Sequence, residues 1–450
     1  MDNSAKITWM VTIAILPVVG VPLFFYVKSN IGHNALKKRV SHLTEEARGL
    51  QPQPLAAAQE LAEADPGAAS LARYLHGKGG GFSVYRNTEV TYFPGGEAKF
   101  EELLRQLEKA EEYIFLEYFI IDEGLMWGKI LEVLARKAAE GVDVRVMYDG
   151  TCEFATLPRD YPSRLEKLGI QCQVFSPVQP FVSTHYNYRD HRKILVIDGK
   201  VGFTGGVNLA DEYINKLERF GYWKDSGVRL KGPGATALAN IFLTFWKAQY
   251  PDEEIDMDRD LPLAAPVKTD CLVQPFADSP VDREAVAKNV YLELINQAQR
   301  RLYICTPYLI LDNDLLTCLR LAAKRGVDVR IYTPGVPDKP TIYQLTRSYF
   351  PHLLRAGVKI YSYTPGFLHA KTWLVDDRIA AVGTVNLDYR SLYLHFENSV
   401  LIYGGAVLED VRKDLAEIER ESKELTLGDC RTGFVGTMYS AVLRLVAPLC

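Results

Sequence analysis

Two stretches of the chain set the same side chains at the same intervals. One reads HRKILVIDGKVGFTGGVN, with His191, Lys193, Asp198 and Asn208; the other reads HAKTWLVDDRIAAVGTVN, with His369, Lys371, Asp376 and Asn386. Histidine and lysine two apart on a strand point to one face, so each motif presents an imidazole beside an ammonium group. Each asparagine follows a second short apolar run and a Gly-Gly or Gly-Thr turn, which returns its amide toward the same spot. The product is a cationic, donor-rich pocket suited to a phosphate. Two imidazoles with ordinary pKa values of ~6.5 can divide the work of nucleophile and general acid or base. The lysines and asparagines neutralise phosphoryl oxygens, a role often taken by metal ions, so neither a metal nor an organic cofactor is expected. A single such pair is weak evidence, since a histidine and lysine alternating on a strand edge are commonly just solvated. Two copies at matching positions, among only eight histidines, are strong evidence.

Asp198 and Asp376 complete the motif as candidate catalytic residues, although each follows its strand and a structural hydrogen bond or ion pair accounts for it equally well. Two further carboxylates recur downstream, Asp225 in YWKDSGV and Glu397 in HFENSV. Either can orient an imidazole and select its tautomer.

Such groups need a scaffold that joins two distant stretches, and the body of the chain is a repeat. The strand-like runs EEYIFLEYFII (111–121) and RRLYICTPYLI (300–310) are each followed by a helical stripe, Trp127, Ile130, Leu131 and Leu134 in one half and Leu315, Leu319 and Ala322 in the other. GVDVRVMYDG (141–150) is echoed by GVDVRIYTPG (326–335), and GIQCQVFSP (169–177) by GVKIYSYTPG (357–366). The order predicts an α/β fold of two similar halves, with mixed, largely parallel sheets flanked by helices. The acidic run DEEIDMDRD (252–260) marks the seam, as a solvated linker. The expected organisation is a membrane segment (1–30), short helices and a flexible joint (31–80), the two halves (81–255 and 256–425) and an amphipathic tail (426–450). Between Gly169 and His191 there are ten more positions than between Gly357 and His369. The excess falls in PVQPFVSTHYNYRD (177–190), whose Phe181, Tyr186 and Tyr188 are candidates for lipid or acceptor contact.

Composition narrows the partners. With 450 residues and 48 % hydrophobic content the chain buries large cores, and 52 basic against 56 acidic side chains, net −4, do not suit a nucleic-acid backbone. Seven scattered cysteines without a CxxC pair suggest neither a disulfide framework nor a zinc site. From Ile7 to Val27 there are 21 uncharged residues bracketed by Lys6 and Lys28, enough for one transmembrane helix kinked at Pro17 and Pro22. Lys28, Lys37, Lys38 and Arg39 then put the catalytic body on the cytoplasmic side of the cell membrane. Near the other end, Phe434, Met438, Val442 and Leu445, with Val435, Tyr439 and Val446, form an apolar stripe opposite Thr437, Ser440 and Arg444. It reads equally well as a helix lying on the membrane or as one docked on the body.

The duplicated HxKx4D with GGxN and GTxN resembles the phospholipase D superfamily, and more closely the bacterial cardiolipin synthases. The stretches LEYFIID, RDHRKILVIDGKVGFTGGVNLADEY, WKDSGV, TPYLILDNDLL and FLHAKTWLVDDRIAAVGTVNLDYRSLYLHFEN carry the likeness, from about residue 85 to 425. The first membrane segment is similar to the second of the two with which those synthases usually begin; this chain has room for only one before residue 30. The resemblance implies transfer of a phosphatidyl group between two phosphatidylglycerol molecules, giving cardiolipin and glycerol. It implies a phosphatidyl-histidine intermediate on one histidine, His191 by preference, with the other, His369, as acid and then base, and with Lys193, Lys371, Asn208 and Asn386 holding the phosphoryl oxygens; the near two-fold symmetry of the motifs leaves the choice of nucleophile open. The partners implied are phosphatidylglycerol and anionic membrane lipid. A phospholipase D that hands the intermediate to water would use the same residues.

Overall fold

The strand Tyr113–Tyr118 is apolar without alternation, apart from Glu117, which pairs with Arg192, because both of its faces are covered. Ile114 and Leu116 share one core with Trp127, Ile130 and Leu134 of helix Leu125–Ala139, while Tyr113 and Phe115 share another with Phe242 and Trp246 of helix Pro233–Gln249. The computed structural model describes residues 3–28, 38–40, 42–43, 55–177, 188–249, 263–282, 284–431 and 433–447. The acidic linker lies outside these, as do Phe181 and Tyr186; Tyr188 is half-buried against the shared core.

Seven strands of the first half run in the order Glu89–Phe93, Gly227–Lys231, Val201–Gly205, Lys193–Ile197, Tyr113–Tyr118, Asp143–Asp149, Gln171–Phe175. The second half repeats this order with Leu272–Asp278, His395–Tyr403, Ile379–Gly383, Thr372–Val375, Arg301–Cys305, Asp328–Pro334 and Lys359–Tyr363, and adds Ser422–Leu425 at its edge. The sheets are mixed, but the expectation that they are largely parallel is not met. In the first half four pairings are antiparallel and two parallel. Only the strands joined through helices can be parallel; each motif strand turns straight back on itself, which forces antiparallel pairing. The two sheets enclose one core, to which Val196 and Leu230 of the first half and Leu374 and Val400 of the second contribute, together with helices Pro233–Gln249 and Val407–Arg420. Each half has a further core on its outer face.

Helices Leu55–Ala64 and Pro66–His76 are not a loose joint. Ala57, Leu61, Leu71 and Leu75 are buried in the outer core of the second half, and Asp65 accepts from Arg378. The continuous membrane helix expected at the N-terminus is also corrected. Asn3–Ile15 and Pro17–Lys28 are separate helices that fold back on each other. Trp9 and Phe24 have ring centroids 5.3 Å apart, whereas fifteen residues of unbroken helix would separate them by about 22 Å. Pro17 lacks the N–H that would continue the first helix, and a Cβ on Gly20 would sit 3.0 Å from Ile13 Cα, so glycine is what lets the arms approach. No helix among the described residues is long and apolar enough to cross a membrane. Helix Phe434–Val446 packs against helix Pro340–Leu354 and the first arm of the hairpin, so the tail is docked on the body.

Candidate active site

The two histidines stand where one half crosses onto the other. Arg189–Asp190 pairs in parallel with His395 and Phe396 of the second half, and the next residue, His191, donates its N–H to the Phe396 carbonyl at 2.9 Å before the chain enters Lys193–Ile197. Gly366–Leu368 pairs in parallel with Tyr222–Lys224 of the first half, and His369 donates to the Lys224 carbonyl at 2.7 Å. Neither histidine therefore lies on the regular strand that sequence alternation supposes. Their lysines reach the site from the start of that strand or just before it, and each Nζ donates to the carbonyl of its own histidine, at 2.6 Å for Lys193 and 2.5 Å for Lys371.

Both rings are gripped through Nδ1 by a carboxylate of the opposite half. His369 Nδ1 is 2.7 Å from Asp225 Oδ2, and His191 Nδ1 is 3.0 Å from each oxygen of Glu397. This places the neutral ring's proton on Nδ1 and leaves the Nε2 lone pair free. The seam is tied by matching contacts, Ser226 Oγ to Thr372 Oγ1 and Asn398 Nδ2 to Thr204 Oγ1, both 2.8 Å. A Cβ on Gly206 would lie 2.0 Å from Asp225 Oδ1, so the Gly-Gly turn makes room for this carboxylate. At the matching position Thr384 donates its hydroxyl to Glu397.

All six of these side chains are buried, and burial sets their charge. It pushes Lys193 down to about 7 and Lys371 to about 8, poised to be fully charged once an anion enters. Burial and the Lys371 ammonium push His369 down to about 4 despite Asp225. Asp225 resists burial because His369 and Lys371 hold it at about 2. On the other side burial and Lys193 hold His191 well below its usual range, and burial drives Glu397 upward. The His369–Asp225 pair thus carries a firm anion, whereas burial opposes the charge of Glu397 beside His191.

The remaining motif residues are less alike than their spacing suggests. Asn208 accepts from the Ile120 N–H at 3.1 Å and donates to Tyr213 Oη at 2.7 Å, so its carbonyl and one N–H are engaged in structure. Asn386 is buried with Oδ1 unpartnered. Asp198 and Asp376, entered above as candidate catalytic residues, lie at the far end of their strands, about 17 Å of extended chain beyond each lysine. Asp198 accepts from the N–H groups of Glu111, Glu112 and Tyr113, and Asp376 from those of Gln299, Arg300 and Arg301. They clamp the start of the neighbouring strand and do not reach the histidines.

The family model described as cardiolipin synthase, PLD-like domain, matches residues 103–226 and again residues 291–418. This chain belongs to that family. Each matched block carries one HxK motif and, near its end, the carboxylate that grips the other block's histidine. A cardiolipin synthase of Alkalihalophilus pseudofirmus is 35 % identical over 99 % of this chain and 89 % of its own length. An uncharacterized protein of Streptococcus mutans is 49 % identical over 100 % of this chain and 97 % of its own. Among solved structures, the phosphatidylserine synthase of Haemophilus influenzae shares the fold, with a TM-score of 0.64, 16 % identity, and coverage of 82 % of this chain and 94 % of that one.

Within this PLD-like site one residue escaped the sequence reading. His395 has its ring centroid 5.5 Å from that of His191, is buried, and its Nδ1 has no hydrogen-bond partner. Aligning HFENSV with YWKDSGV would have exposed it, because its counterpart Trp223 flanks His369 in the same way, at 5.3 Å. His191, His395 and Glu397 place ligand atoms within 4.8 Å of one another, close enough to hold a metal ion. Glu397 is already occupied by His191 and Thr384, and the Lys193 and Lys371 ammonium groups oppose a cation there. The donor set fits a phosphate better than a metal.

Proposed function

We propose that this chain is a cardiolipin synthase that transfers a phosphatidyl group from one phosphatidylglycerol to another. The observation that carries this is the reciprocal pair of histidine–carboxylate contacts, which leaves two free Nε2 atoms in one lysine-lined pocket. His191 is the nucleophile. Its surroundings keep it neutral, and Nε2 attacks phosphorus as the bond to the donor's glycerol oxygen breaks. His369, stabilised as imidazolium by Asp225, gives its proton to that oxygen and glycerol leaves. It then takes the proton from a hydroxyl of the second phosphatidylglycerol, whose oxygen displaces His191 to form cardiolipin. Lys193 and Lys371 neutralise the phosphoryl oxygens, and Asn386 donates to them through Nδ2. A negative phosphodiester beside His369 raises its proton affinity, which makes the acid role accessible. Phe119, Trp223, Tyr213 and Phe367 wall the rings and disfavour water as acceptor.

The enzyme works on a bilayer. Val18, Val19, Phe25, Met10 and Ile15 of the hairpin are all more than half exposed, an apolar surface that water alone would not tolerate. The Lys28–Arg39 basic cluster beside the hairpin suits the anionic cytoplasmic leaflet.

Mass spectrometry of products formed on vesicles of pure phosphatidylglycerol, with a chelator present, tests the reading. Cardiolipin with released glycerol is expected. Phosphatidic acid as the main product would mean that water wins and the protein is a phospholipase D.

A further inference from the structure

Helix Phe434–Val446 packs Leu443 against the outer core of the second half but turns several other apolar side chains away from the body. Ser440 and Arg444 turn toward helix Pro340–Leu354, whereas Met438, Tyr439, Val442 and Leu445 face outward with exposures of 38–56 %. Thr8 Oγ1 donates to the Leu445 carbonyl at 2.5 Å, so the apolar hairpin continues the same surface. Beneath this rim lies a cleft of roughly 440 Å³, lined by Arg347, His352 and Arg355 on one side and Arg431 and Arg444 on the other, with no carboxylate among its lining residues.

The cationic groups here are not neutralised internally. Arg444 donates to His352 Nε2 at 2.7 Å and Arg347 to the Asp429 carbonyl at 2.7 Å, both uncharged acceptors. Arg355 and Arg431 are exposed and have no carboxylate partner among the described residues. In a chain of net charge −4, four guanidinium groups converging on one cleft call for an anion, and their planar forks suit phosphate oxygens. The apolar rim selects the source. A free phosphate needs none, whereas an apolar face that enters the bilayer, on the far side of the helix from Ser440 and Arg444, brings the cleft to the level of the lipid phosphates. The site is separate from the histidines: none of the residues lining the cleft belongs to the HxK motifs or their carboxylates, and Arg355 lies sixteen residues, about 24 Å of helix, beyond Lys339, whose charge acts on His395.

We propose that this cleft is a second, non-catalytic site, which takes the phosphate of an anionic phospholipid in the bilayer and seats the enzyme by the helix 434–446 and hairpin face. It rests on the reading that the protein acts at a membrane, but not on which lipid is made.

Flotation of the full chain with phosphatidylcholine vesicles, with and without phosphatidic acid, tests it alongside the exposed double variants R355Q/R431Q and R355K/R431K. The Gln variant is expected to lose about 30-fold in affinity for the anionic vesicles and nothing for the neutral ones. The Lys variant should keep most of the binding, and turnover of a short-chain, monomeric phosphatidylglycerol should be unchanged in both. Wild-type binding by the Gln variant to anionic vesicles, or an equal loss on neutral ones, overturns the site. A wild-type chain that makes no cardiolipin yet shows the selective loss would overturn the proposed function and leave the cleft assigned.

Discussion

The two halves bring the same backbone to the active site and dress it differently. Around His369 the partner is the short Asp225, fitted against a Gly206 turn and flanked by Trp223. Around His191 the partner is the longer Glu397, fixed by the Thr384 hydroxyl and flanked by His395. The first arrangement keeps a firm carboxylate anion under an imidazole; in the second, burial raises the proton affinity of the carboxylate. A pseudo-twofold site can thereby assign its acid and its nucleophile through the residues behind the rings, with the rings themselves equivalent.

The most drastic way to break the comparison is to remove either ring. His191→Ala and His369→Ala should each lower cardiolipin formation on phosphatidylglycerol vesicles by about 10⁴-fold or more, read as product per minute. The carboxylates sharpen it. Asp225→Asn should cost about 10³-fold in kcat because the imidazolium loses its anion, whereas Glu397→Gln, which replaces a group already pushed toward neutrality, should cost about tenfold to a hundredfold. Equal losses would mean that the two halves are not specialised.

The pH profile probes what they share. Lys193 near 7 and Lys371 near 8 are charged below those values, so kcat/KM should fall as pH rises from about 7 through about 8, with KM carrying the change. Between pH ~7 and ~10 the unfolded chain binds more protons at these lysines than the folded one, so stability from this source rises with pH over the same window. Loss of activity without loss of melting temperature is the expected signature. The smallest effect on chemistry belongs to the aspartates. Asp198→Ala and Asp376→Ala leave buried N–H groups unpaired and should cost about 1–3 kcal/mol of stability by denaturant titration, with kcat per folded molecule within a few-fold of wild type.

What could be read from the sequence was what repeats locally. Identical spacing gave away both HxK motifs and their trailing carboxylates, and matched strand–helix patterns gave away the two halves. Long-range pairing left no such trace. That Asp225 serves His369 and Glu397 serves His191 depends on the chain crossing between sheets at residues 189–191 and 366–369, which no periodicity announces. The docking of helices 55–76 on the second half was hidden for the same reason. The N-terminal hairpin was misread because its apolar composition satisfies a spanning helix, while its shape is decided by one proline and one glycine, Pro17 and Gly20.

The division of labour is tested most directly by trapping the covalent intermediate. Rapid acid-free quenching of the His369→Ala variant, given a phosphatidyl donor whose leaving group needs no proton, followed by peptide mass spectrometry, locates the adduct. A phosphatidyl group on the peptide containing His191, and none from the His191→Ala variant under the same conditions, is the predicted result; an adduct on His369 in the His191→Ala variant would contradict the assignment.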